Sequence, residues 1–79
     1  MGRRVSLSGA FARVLQEQRK AKGLSQESLA HKTRLHRTYV GLIERGHRNP
    51  SIEIGHALDH ALGVSLSDLV RDAEKRIRY

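Results

Sequence analysis

The chain has 79 residues, with fifteen Lys and Arg against eight Asp and Glu, so its formal net charge is +7. That length allows one core, and the field of that charge favours polyanionic partners: nucleic acid first, then anionic membrane, then an acidic protein surface. Without cysteine there is no disulfide framework, thiolate zinc site or redox pair, and no apolar run is long enough for a membrane span or a secretory signal, so a reducing cytoplasm is expected.

In chain order, residues 1–6 read as a flexible basic start; Met1-Gly2 followed by Ser6 also fits the loose myristoylation template. Leu7, Phe11, Val14 and Leu15 recur at helical spacing, which predicts a first helix from Ser8 as cap to about Lys22, stopped by Gly23. Ser25 is the expected cap of a short second helix from Gln26 to about Lys32, with Leu29 and Ala30 on its buried side. A third helix is predicted from Arg37 to Gly46, and Asn49-Pro50 marks a loop. Ser51 opens a fourth that Gly63 closes, and Ser67-Asp68 opens a fifth whose basic end carries Lys75, Arg76 and Arg78. No strand pattern intervenes, so the expected fold is all-α: a single five-helix orthogonal bundle over residues 1–79. A chain this short buries only roughly 60 to 65% of its unfolded surface, which makes self-association expected.

The stretch Leu24–Asn49, LSQESLAHKTRLHRTYVGLIERGHRN, with the continuation LGVSLSDLV at Leu62–Val70, strongly resembles the Cro/CI-type (Xre) helix-turn-helix family. Within it, LHRTY, IERG and RNPS are most similar to the controller proteins of restriction-modification systems. The resemblance implies a lambda-repressor-like fold with the helix-turn-helix at about residues 25–46. It also implies a cytoplasmic transcriptional regulator that binds double-stranded DNA as a homodimer on a palindromic operator.

The residues support this independently. Val40 and Ile43, three apart, turn one stripe of the third helix inward, and Leu35 plugs the preceding turn. Thr38, Gly41, Leu42 and Arg45 then face outward with Arg37 on the flank, giving five candidates for base reading. Arginine can donate twice to guanine O6 and N7, and threonine can meet thymine with hydroxyl or methyl; Arg37 and Thr38 are the expected reading head. Gly41 weakens a helix by roughly 1 kcal/mol against alanine but permits close approach of backbone to DNA. Leu42 either meets a thymine methyl or is simply an exposed leucine. Gln26, at the first turn of the second helix, is expected on phosphate, as are Arg48 and Asn49; Tyr39 divides between packing and a phosphate contact.

Arg19 and Glu44 match family positions that form a partly buried ion pair, a structural role. The dimer surface is expected around the fifth helix, with Leu66, Leu69 and Val70 shared between core and interface. Arg34 stands where the family's turn usually places glycine or asparagine, so either a left-handed arginine or a longer turn is expected. Gly55, His56 and Asp59 replace apolar residues and predict a thin core under the fourth helix. His56 and His60 are four apart, a spacing compatible with one zinc, with Asp59 adjacent in sequence, but no H-E-x-x-H pattern and no further ligand accompany them, so no metal site and no cofactor are expected. Nothing is arranged for catalysis, and an enzyme is not expected. The competing readings are an antitoxin-like protein-binding subunit and a non-specific architectural DNA binder, separable by salt and sequence dependence.

Overall fold

The computed structural model describes residues 6–77 and contains five helices: α1 (Leu7–Ala21), α2 (Gln26–Thr33), α3 (Arg37–Glu44), α4 (Ile52–Leu62) and α5 (Leu66–Lys75). Four of them start behind a serine. The hydroxyls of Ser6, Ser25, Ser51 and Ser65 accept the backbone N–H of Gly9, Ser28, Ile54 and Asp68, satisfying one of the orphan donors of each first turn.

Two caps fall earlier than expected, for the same reason. Ser8 and Ser67 were the predicted caps, yet Ser6 and Ser65 perform the role, and each helix gains a leucine at its first position. In both S-L-S runs the second hydroxyl instead meets the first, at 3.3 Å for Ser6 and Ser8 and 3.1 Å for Ser65 and Ser67. Placing Leu66 inside the helix lets it pack against the core below. The myristoylation pattern and the C-terminal arginine Arg78 fall partly or wholly outside the described residues.

Two apolar clusters share α1. Leu15 joins Leu29, Ala30, Val40, Ile43, Leu58 and Leu62, gathering α2, α3 and α4. One turn nearer the N-terminus, Ala10, Phe11 and Val14 meet Leu69 and Ala73 of α5. Each fully buried leucine contributes about 1.5–3 kcal/mol of burial, and cutting Leu15 back to alanine would cost about 2–5 kcal/mol by opening a cavity where α1 enters this cluster. Leu69 is 0% exposed, so its expected share in a dimer surface is corrected: it is core, because it closes the α1–α5 layer. Leu66 and Val70 remain half-buried.

The apparent defects of α4 have structural uses. Gly55 is buried, and a Cβ there would lie 3.1 Å from Leu66 Cδ1; the missing side chain makes room for α5's first leucine. Asp59 Oδ2 accepts the Leu66 N–H at 2.8 Å, so this carboxylate ties α4 to the start of α5. The predicted thinness of this core is therefore corrected, since Leu66 fills from the neighbouring helix what α4 lacks. Arg34 does adopt the left-handed conformation, with φ 61°, and Leu35 N–H reaches back to Ala30 O at 3.0 Å. The turn stays short, at a cost of about 1–2 kcal/mol to the arginine backbone.

Candidate nucleic-acid interface

The site begins with a buried ion pair. Arg19 of α1 donates from Nε to Glu44 Oε2 at 2.6 Å and from Nη2 to Glu44 Oε1 at 3.0 Å, while its Nη1 donates to the Leu24 carbonyl at 2.8 Å. Their side chains retain 9% and 1% exposure, so the two charges compensate each other away from solvent. The same Oε1 accepts Gln26 Nε2 at 3.0 Å. A single carboxylate thus holds α1, the end of α3 and the first side chain of α2 in register.

Above this pair, Gln26, Arg37, Thr38, Gly41 and Arg45 line one concavity between α2 and α3. Arg37, Thr38 and Arg45 are exposed, and Gln26 is half-buried. Gly41 differs from its expected presentation. It is buried, and a Cβ built on it would lie 3.1 Å from Arg45 Nη1 and 3.5 Å from Gln26 Oε1. The glycine makes room for the arginine side chain rather than baring its own backbone. Leu42 is half-buried, and Tyr39 packs part of its ring against the α2–α3–α4 core.

The two remaining candidates stand apart from this concavity. Arg48 and Asn49 are exposed in the loop after α3, and Asn49 borders a different, apolar groove together with Pro50. Three contributors went unrecognised in the sequence. His36 caps α3 through Nδ1, which accepts the Thr38 N–H at 3.2 Å, so the imidazole orients the residue beside Arg37; histidine is outside the usual capping set, and only its position directly before the helix signals the role. Arg13 and Gln16 of α1 share a further concavity with Arg45, detectable only as polar residues on the outer face of α1.

Charge is distributed unevenly over the surface. On α5, Arg71 pairs with Asp68 and Arg76 with Glu17, whereas among the described residues Arg34, Arg37, Arg45 and Arg48 form no salt bridge. Four guanidinium groups without an ionic partner thus stand in and around α3, and such groups match phosphate and guanine acceptors. No described helix is long and apolar enough to cross a membrane.

A family model described as helix-turn-helix matches residues 15–69. The control protein C.MunI of Mycoplasma sp is 44% identical over 66 residues, covering 82% of this chain and 89% of that protein. Among solved structures, the restriction-modification controller protein C.AhdI from Aeromonas hydrophila superposes with a TM-score of 0.75 at 46% identity, covering 77% of this chain and 92% of that one. The clp gene regulator ClgR from C. glutamicum superposes with a TM-score of 0.92 at 28% identity, covering 99% and 100%.

Proposed function

The chain belongs to the helix-turn-helix family of DNA-binding transcriptional regulators, and from that premise we propose that it acts as a homodimer on a palindromic operator, as a controller of a restriction-modification system. The higher identity to C.MunI and C.AhdI than to ClgR supports the controller assignment. The reading is supported most by the shared concavity of Gln26, Arg37, Thr38 and Arg45 over a buried ion pair. Arg37 and Thr38 read bases in the major groove, and Arg45, covering Gly41, reaches the same edge. Leu42 borders the apolar side of that contact. Gln26, Tyr39, Arg48 and Asn49 hold phosphates and set the register. The protein performs no catalysis and works in the cytoplasm, at the chromosome.

The dimer face we assign is the apolar groove of Leu7, Phe11, Pro50, Ile52, Leu66 and Val70. Ile52 is 82% and Leu7 45% exposed, the large hydrophobic residues that the described fold leaves in water, and such a patch marks an association surface. A two-fold axis there would present two copies of α3 to half-sites about one helical turn apart.

Selection of bound sequences from random DNA, followed by gel-shift titration, tests the reading. Arg37→Ala is expected to lower affinity for the selected operator by about 5- to 150-fold, the value of a bidentate base contact, while leaving bulk-DNA binding near its original strength. A folded Arg37→Ala protein with the same operator preference would overturn it.

A further inference from the structure

We propose that His56, Asp59 and His60 form a binding site for a divalent transition-metal ion on α4. On a helix, positions i, i+3 and i+4 share one face, and here each of the three residues offers a ligand atom such that all lie within 4.8 Å of one another. The imidazole rings of His56 and His60 stand edge to face with centroids 4.8 Å apart. His56 Nδ1 lies 3.5 Å from Asp59 Oδ2, too far for a good hydrogen bond, so this ring is not committed to the carboxylate. Asp59, adjacent to His60 in sequence, is brought into the group by the turn of the helix.

The three side chains contribute unequally. Asp59 is the fixed member, 12% exposed, with Oδ2 held by the Leu66 N–H at 2.8 Å, and the remaining lone pairs of the carboxylate are left for a cation. A ligating carboxylate anchored by an outer hydrogen bond is the arrangement metal sites use. Both histidines are exposed and free to turn. Bonds of about 2.0–2.1 Å in tetrahedral geometry place ligand atoms about 3.3 Å apart, so the imidazoles need only swing inward by roughly an ångström. Two imidazoles and one carboxylate suit Zn²⁺, Co²⁺, Ni²⁺ or Cu²⁺ rather than Mg²⁺ or Ca²⁺, with water completing the shell. Because Asp59 also caps α5, the bound ion would brace the α4–α5 junction.

The test is isothermal titration of the untagged full chain with zinc chloride, with Co²⁺ absorption as a second readout of ligand geometry. His31 and His47 are exposed on other elements, so H31A/H47A serves as the control for scattered imidazoles. One equivalent of Zn²⁺ is expected to bind wild type and H31A/H47A alike. H56A/H60A should weaken it by at least about tenfold, the loss that even an outer partner brings. Asp59→Asn retains an acceptor for the Leu66 N–H, so it should weaken zinc comparably while melting near wild type in the absence of metal. With free zinc at a hundredfold the wild-type Kd, the wild-type Tm should rise by roughly 11–22 °C and that of H56A/H60A by no more than about half as much. Zinc affinity in H56A/H60A within twofold of wild type, or a loss seen only in H31A/H47A, would overturn the proposal.

Discussion

Two arginine–glutamate pairs tie α1 to another part of the fold, one side-on through Nε and Nη2 and one end-on through Nη1 and Nη2, and they differ most in environment. Arg19 grips Glu44 beneath the α2–α3 surface with 9% and 1% side-chain exposure, whereas Arg76 grips Glu17 between α5 and α1 with 39% and 56%. Both are two-pronged, with shortest contacts of 2.6 and 2.5 Å. Distance alone would rank them equal, but water decides otherwise. The exposed pair is screened and gives up side-chain freedom to form. The buried pair cannot be half removed, because the survivor would be left charged in a dry site. The first pair also carries Gln26, so the region we propose for DNA contact is built on the interaction least tolerant of change.

The largest effect is expected from Glu44→Ala, which strands Arg19 and should cost about 3–5 kcal/mol in urea unfolding. Replacing both partners with apolar residues, Arg19→Met with Glu44→Leu, should recover much of that stability. Gln26 would still lose its acceptor, so operator affinity should stay low although the fold returns; full recovery of both would show that the pair serves stability alone.

Gly41→Ala should separate the same two properties in the other direction. Alanine favours the helix by roughly 1 kcal/mol, and its Cβ presses on the end of a flexible arginine, 3.1 Å from Arg45 Nη1. Thermal melts should show equal or higher stability, and gel shifts a several-fold weaker operator complex as Arg45 is displaced. Unchanged binding would remove Arg45 from the reading surface.

The smallest effect belongs to Glu17→Gln. The hydrogen bond from Arg76 holds the Glu17 carboxyl below its ordinary value of 4.5, so the pair stabilises the fold above that pH and the contribution is lost as pH falls through the lowered value. Unfolding midpoints of wild type and Glu17→Gln should differ slightly at pH 7 and converge under strong acid. A large difference at pH 7 would contradict the contrast with Arg19 and Glu44.

Much of this architecture was legible in the order of residues. Serines before apolar periods, glycines after them and the Val40–Ile43 stripe place the helices and orient α3, because caps and 3.6-residue periodicity act locally. Local signals also misled where two solutions were equal: in S-L-S either serine can cap, and packing of Leu66 settles the choice. Leu69 reads the same in a core as at an interface, and only the position of Ala10, Phe11 and Val14 separates them.

The sequence by itself determined the bounds of α1 to α4 and the start of α5 to within two residues, the inward stripe of α3 and the excess of positive charge, since these depend on neighbours along the chain; it carried the end of α5 past Lys75, where the helix stops. Tertiary structure decided which charges are compensated, that Arg45 lies over Gly41, that Gly55 and Asp59 serve α5 rather than weaken α4, and that one glutamate links Arg19 to Gln26. The last of these requires residues 18 and 25 positions apart to meet in a water-poor site, and burial there is a property of the assembled helices that no local pattern specifies.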